Sequence, residues 1–403
     1  MKILICHNFY QSRGGEAQTV FRDKELLEKK GHSVILFSRD NEEINNYGLI
    51  QKIKLFFGIF FSFKTWKKIK RIIERQRPDI AHVHNVFPLI SPSIYCALKK
   101  MNVLVVQTVH NYRFLCSNGL FLNNDGKICE RCKNGNVFNA VIRKCYRNSY
   151  LQTSGMAATL YLYRKLRTFT NKIDVLIAPS NFLRKKLIEG GIPKEKIVVK
   201  AHFIKCEEIK PSYEFDNYAV YMGRLSPEKG LFTLLRVWKE LPNFTLMIMG
   251  DGPIRNELEN FVIEEEIANV EFLGFIKGPK RFEILKKAMF MVFPSEWYES
   301  FGYAIIESLA CGTPVIASRI GGLEELIEEG KNGLLFEPGN IEDLRKKILY
   351  FIENPKLIID MRRYAREIAE KKYSSEVGYK NLMQIHNRLL SASEFKPHGK
   401  RVK

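Results

Sequence analysis

Short apolar runs alternate with helical patterns along nearly the whole of this chain, and that alternation limits its fold more than any other feature. KILICHNF, HSVILFS, DIAHVHN, VLVVQTVHN, DVLIAPS and KIVVKAHF are almost continuously apolar, and stretches such as EAQTVFRDKELLEKKG, SPSIYCALKKM and NFLRKKLIEGG separate them. A strand buried on both faces needs helices above and below it, so the pattern predicts an α/β fold with a doubly wound parallel sheet. The second half repeats the logic in YAVYMGRL, FTLMIMGDG, NVEFLGFI, MFMVFPS, PVIAS and GLLF, again with helical patterns between them. A chain of 403 residues exceeds one ordinary core, and two domains of about 200 residues each follow. The first is expected over 1–205, with an irregular insertion at 111–150, and the second over 206–374. CEEIKPSYEFD, charged and aperiodic, makes the linker. A helix at 375–391 is expected to cross back to the first domain, and 392–403 to be a disordered tail. Two such sheets leave a cleft, and sheets of this kind take ligands at the carboxyl ends of their strands.

The formal charge of +20 is one-sided. Residues 1–205 hold 36 Lys and Arg against 14 Asp and Glu, a net +22, and the remainder holds 28 against 30, a net −2. A basic half suggests a polyanionic partner, either nucleic acid or an anionic membrane. The segment KIKLFFGIFFSFKTWKKIKRIIERQR favours the membrane: Phe56, Ile59, Phe60, Phe63, Trp66, Ile69 and Ile73 recur at helical spacing, surrounded by Lys52, Lys54, Lys64, Lys67, Lys68, Lys70 and Arg71. A crossover helix with a solvated basic face explains the same pattern more blandly, and part of the stripe is core on either view. No nucleic-acid-binding motif is present. The start, MKILICHNFYQSRGG, lacks the sections of a signal peptide. The longest apolar run, LFFGIFFSF, falls well short of the roughly 20 residues that cross a bilayer. A cytoplasmic protein, peripheral on the inner face of the membrane, is the expectation.

The candidate chemistry sits at strand ends. GRLSPEKG places Arg224 and Lys229 before a helix, where two cations and free N–H groups make a receptor for a diphosphate. A surface loop with a solvated lysine is the plain alternative. GGEAQTV opens a helix after the first strand, and Gly14 and Gly15 let backbone N–H groups approach a phosphate or sugar. The pair lacks the third glycine of a dinucleotide fingerprint. EWYESFGYAIIESLACGTPVIAS carries Glu299 and Glu307 on a segment that otherwise buries Phe301, Ala304, Ile305 and Leu309, with no Lys or Arg beside either carboxylate. If helical rise holds throughout, their backbones lie about 12 Å apart, too far for a glycosidase pair at roughly 5 to 10 Å. That separation suits the two ends of a nucleotide sugar, whose hydroxyls satisfy both carboxylates.

With these motifs in hand, the chain resembles the family-four retaining glycosyltransferases of the two-Rossmann GT-B class. The likeness rests on GGEAQTV, DIAHVHN, TVHNYR, GRLSPEKG, GDGP, EFLGFI and the Glu-x7-Glu segment with its following CGTPVIAS and GG, and it spans nearly the whole chain in order. It implies a nucleotide-sugar donor, retention of configuration and no catalytic metal; the sequence has no Asp-x-Asp. The resemblance assigns Glu299 to the donor sugar, Glu307 to the ribose, and Arg224 with Lys229 to the diphosphate. Gly14 and Gly15 bring N–H groups to the donor, His110 touches the transferred sugar from the opposite lip of the cleft, and the main chain at Phe275 and Ile276 meets the base. Backbone contact leaves UDP, GDP and ADP open. The family more often has Asp after that histidine; here it is Asn111. The implied activity is transfer of a hexose-type sugar to a lipid-linked or cell-surface glycan. A soluble small acceptor is the alternative, and a non-enzymatic nucleic-acid binder the remote one.

Within the insertion, Cys116, Cys129, Cys132 and Cys145 follow the spacing Cys-x12-Cys-x2-Cys-x12-Cys. The central Cys-x2-Cys can chelate one tetrahedral metal and the outer pair can complete a structural zinc site. Free thiols, or disulfides in an oxidising compartment, fit the same spacing. The other four cysteines are isolated.

Overall fold

The computed structural model describes residues 1–11 and 14–394 and forms two compact units. One comprises residues 1–125, 129–201 and 378 onward, the other 126–128 and 202–377.

In the first unit the expected runs become β1 (Lys2–Phe9), β2 (Ser33–Asp40), β3 (Ile80–Val83), β4 (Leu104–Thr108), β5 (Val175–Ala178) and β6 (Ile197–Val199). They pair in parallel in the order β2-β1-β3-β4-β5-β6. Ile3, Ile5, Ile80, Val106 and Ile177 are buried between the sheet and its helices, with Val20 and Leu27 of helix Gly15–Lys29 and Leu382 of helix Ser375–Glu394. That last helix continues past 392, where a disordered tail is expected, to Glu394; residues 395–403 lie outside the described part.

The second unit holds β7 (Tyr218–Met222), β8 (Thr245–Met249), β9 (Val270–Gly274), β10 (Phe290–Phe293), β11 (Val315–Ser318) and β12 (Gly333–Phe336), all parallel, in the order β12-β11-β10-β7-β8-β9. Its core gathers Trp238, Phe244, Ile248, Phe290, Val292, Phe351 and Met361. In both sheets the order reverses beside the first strand of the unit. The reversal leaves a crevice at the carboxyl ends of the two strands involved, which is where such sheets bind ligands. The crevices therefore lie after β1 and β3 in one unit and after β7 and β10 in the other.

The basic segment departs from the expected single helix. It breaks at Phe61–Ser62 into helix Leu49–Phe60 and helix Phe63–Gln76, the second capped by Ser62, whose Oγ accepts from the Thr65 N–H. Ile69 and Ile73 are buried as a crossover helix requires, whereas no residue of Leu49–Phe60 is buried.

Candidate active site

The loops after β7 and β10 are bound together edge to edge. The Glu296 N–H donates to the Glu228 carbonyl at 2.9 Å, and Thr233 Oγ1 donates to Glu296 Oε1 at 2.5 Å. Gly230, at φ +67°, begins helix Leu231–Trp238, and a Cβ there would stand 2.0 Å from the Pro294 carbonyl oxygen. Only glycine tolerates both that backbone and that approach. The result is a fixed position for Lys229. Its Nζ lies 2.5 Å from Glu299 Oε1, and the aromatic faces of Phe293 and Trp297 flank it at 5.6 and 5.2 Å. Ser295 Oγ donates to the same carboxylate oxygen at 2.6 Å. Gly322 N–H donates to the Glu299 carbonyl at 2.7 Å, and Gly321, at φ +65°, packs where a Cβ would meet that carbonyl at 2.6 Å. The two glycines after β11 thus hold the backbone that presents Glu299.

Both carboxylates are buried, at 6% and 5% exposure, but not for want of protein cations. Lys229, seventy positions earlier, pairs with Glu299, and Arg281 Nη2 lies 3.1 Å from Glu307 Oε1. The expectation that neither had a cationic partner is corrected: both partners arrive through the fold. Glu299 is also not helical, because the helix begins only at Tyr303, so the rise-based separation does not apply; Ala304 is half-buried. Arg224 is exposed, and among the described residues its guanidinium makes no ion pair. Phe275 is exposed and Ile276 half-buried on the loop between β9 and helix Lys280–Lys287, the helix that carries Arg281.

In the other unit, Gly14 caps helix Gly15–Lys29, and nothing lies within 4 Å of where its Cβ would stand. Packing does not demand a glycine there. His110, after β4, is half-buried, and its Nε2 lies 2.9 Å from His84 Nδ1, after β3. Their rings stack, and His82 stacks in turn on His84 and meets Thr108 Oγ1 at 2.8 Å. Glu16, His84, His110, Asn111 and Arg113 line one small cleft. Burial pushes the Glu16 carboxyl up to about 8 against the opposing pull of Arg113, so it holds a proton at neutral pH. Sequence reading passed over Glu16, although GGEAQTV places it in the first turn after the paired glycines. It also passed over Arg281, Ser295 and Trp297, which carry no local signal.

The four cysteines of the insertion are free thiols. Among the described residues, the one set of three His, Cys, Asp or Glu ligand atoms within 4.8 Å of one another is Asp23, His82 and His84, all buried; no three of the four thiols are that close.

Residues 205–371 match the family model described as Glycosyl transferases group 1, and residues 13–208 match Glycosyltransferase Family 4. The chain belongs to the family-four glycosyltransferases of the GT-B fold. This glycosyltransferase is 27% identical to an uncharacterised glycosyltransferase of Methanocaldococcus jannaschii, over 96% of this chain and 99% of that one. It is 23% identical to the alpha-monoglucosyldiacylglycerol synthase of Acholeplasma laidlawii, over 96% of each chain. Among solved structures, sucrose-phosphate synthase of Thermosynechococcus elongatus superposes with a TM-score of 0.74 at 20% identity, over 97% of this chain and 99% of that chain. Anabaena HepE in complex with UDP-glucose does so with 0.67 at 19%, over 97% and 100%.

Proposed function

We propose that this glycosyltransferase moves a hexose-type sugar, with retention of configuration, from a nucleotide-sugar donor to a lipid-linked or cell-surface glycan at an anionic membrane. The observation that carries the donor is the Lys229–Glu299–Ser295 cluster at the reversal point of the second sheet, with exposed Arg224 on the same loop. Lys229 leaves Glu299 for the donor diphosphate, joined there by Arg224 and the free N–H groups of helix Leu231–Trp238. Glu299, still held by Ser295, then accepts hydroxyls of the sugar. Glu307 takes the ribose hydroxyls beside Arg281, and the backbone at Phe275 and Ile276 meets the base. The family resemblance also assigns Gly14, Gly15 and His110 to the donor. HepE, a structural neighbour in complex with UDP-glucose, supports a uridine donor.

The cations stabilise charge that grows on the departing diphosphate as the anomeric carbon becomes oxocarbenium-like. On one face of the sugar, the bond from that carbon to the phosphate oxygen breaks while the bond to the acceptor oxygen forms. The departing phosphate oxygen takes the acceptor's hydroxyl proton, so no protein nucleophile is required.

The acceptor side is supported by helix Leu49–Phe60. Leu49, Ile50, Ile53 and Phe57 are between 51% and 76% exposed, beside Lys52 and Lys54. The helix packs on helix Tyr150–Lys165, where Phe56 stands 3.0 Å from the Cβ position of Gly155, and Leu151 and Leu162 add to the exposed apolar surface. Apolar faces with lysines at their edges suit an anionic bilayer. The acceptor of the Acholeplasma relative, named for a diacylglycerol product, is consistent with that setting.

A thermal-shift series with UDP-, GDP- and ADP-sugars tests the reading. One base should raise the melting temperature, by the equivalent of about 2.7 kcal/mol at a hundredfold excess over Kd. No shift with any of the three would reject the donor site.

A further inference from the structure

We propose that Cys116, Cys129, Cys132 and Cys145 hold one structural zinc ion as a tetrathiolate. The insertion folds so that its own backbone draws these four residues together. The Cys116 N–H donates to the Tyr112 carbonyl at 2.8 Å, and the Tyr112 ring packs at a tilt against Phe121, 4.6 Å between centroids. The Phe121 carbonyl in turn accepts from the Cys129 N–H at 2.7 Å. The Ala140 peptide joins the other two: its N–H reaches the Cys132 sulfur, and its carbonyl accepts from the Cys145 N–H at 3.1 Å. Cys132 lies within electrostatic reach of all three other thiols, and Cys145 within reach of Cys116 and Cys129.

The backbone of this stretch is held in conformations that side chains rarely adopt. Phe121, Lys144, Arg147 and Asn148 all have φ near +50°, and Gly119 and Gly135, each three residues after a cysteine, lie at +77° and +105°. The four that are not glycine cost of order 1–3 kcal/mol each and persist where the surroundings over-determine them. A four-coordinate metal is one device that does so in a segment whose only helix is the five-residue Phe138–Ile142.

Charge decides which of two candidate clusters takes the metal. A zinc ion with four thiolates carries a net −2, and three guanidiniums already face these sulfurs: Arg113 acts on Cys116, Arg164 on Cys132 and Arg143 on Cys145. Arg164 is fixed there by donating to the Cys132 and Lys133 carbonyls at 3.1 and 2.6 Å. The tighter set, Asp23 with His82 and His84, would carry +1 with a metal bound, and the Lys200 ammonium already acts on Asp23 and His82. The thiols stand wider than the roughly 3.8 Å between sulfurs that zinc–sulfur bonds of about 2.3 Å impose. Closing the set requires the part-buried Cys129 and Cys145 to turn toward the buried Cys116 and Cys132. Binding releases the four thiol protons to solvent.

The test uses the full chain, purified without chelator and with zinc measured by mass spectrometry. Close to one zinc per chain is expected, falling to a trace in Cys129→Ser/Cys132→Ser and unchanged in Cys96→Ser, which lies outside the insertion. Less than about 0.2 zinc per chain in the unaltered protein overturns the proposal, as does a content that Cys129→Ser/Cys132→Ser leaves unchanged. Cobalt added to the metal-stripped unaltered chain provides a reading that needs no variant to fold. Intense thiolate-to-cobalt charge-transfer absorption is expected, and a spectrum without it overturns the sulfur site in favour of one built from histidine and carboxylate.

Discussion

At the scale of single residues, Lys229 holds the most informative position. It is the cation on Glu299, it lies between two aromatic rings, and it stands on the loop that the fold of the second sheet marks for a ligand. In the proposed chemistry, removing its charge leaves the developing diphosphate charge to Arg224 and the helix terminus. Lys229→Ala should therefore lower kcat at saturating donor roughly 100-fold, a loss of about 2.7 kcal/mol of transition-state stabilisation. An unchanged kcat discards the role. The same change strands a buried carboxylate on Ser295 alone, which costs about 1–3 kcal/mol of stability. Adding Glu299→Gln should restore the melting temperature, which traces the lost stability to the stranded carboxylate. The residue types and their strand-end positions were legible in the sequence. The pairings were not. Lys229 and Arg281 reach their carboxylates across 70 and 26 positions, and only tertiary structure sets contacts of that separation. Glu16 was hidden differently: its proton at neutral pH comes from burial, which no local pattern announces.

At the scale of elements, all twelve strands were legible because strands covered on both faces leave long apolar runs with no competing period. The basic aromatic segment was legible in composition and misread in form. Its apolar positions keep helical spacing through Ser62, so periodicity alone ran two helices together, although a serine followed by helix formers is a start signal. The break matters, because it gives the core role to Phe63–Gln76 and leaves Leu49, Ile50, Ile53 and Phe57 of the other helix exposed. If that helix docks on a bilayer, Ile53→Glu with Phe57→Glu should abolish co-flotation with anionic vesicles at low salt. Each change removes a buried side chain worth about 1.5–3 kcal/mol in the membrane. Neither residue is buried within the protein, so the melting temperature should stay within about 0.5 kcal/mol of the original. Transfer to a soluble acceptor analogue should be unaffected. Flotation that survives both changes would move the docking surface elsewhere and favour a soluble acceptor.

At the scale of the whole molecule, the two units divide their chemistry unevenly. The second presents paired ions at its carboxyl-end loops, while the first buries ionisable groups in its own interior. Burial lowers His7 and His386 to about 3 and His82 well below its usual value, and it raises Asp23 to about 6 and Glu16 to about 8. The signs oppose one another. A buried neutral histidine contributes stability that is present above about 6.5 and lost as pH falls, since the unfolded chain then binds the proton more readily. A buried protonated carboxyl contributes stability that is present at low pH and lost as pH rises from its unfolded value near 4 toward its folded one. Between about pH 4.5 and 6, three histidines outweigh two carboxyls, and stability climbs with pH. Above about pH 7 the histidines are neutral in both states, while Glu16 alone still has to give up its proton, so stability falls until about pH 8. The melting temperature of the first unit should therefore peak between about pH 6.5 and 7. In Glu16→Gln the acid limb should remain and the decline from about pH 7 to 8 should flatten, because glutamine fills the same space without a proton to lose. A decline of equal slope in the two proteins would show that Glu16 ionises normally in the folded state, and the cleft beside His110 would then carry a negative charge at neutral pH.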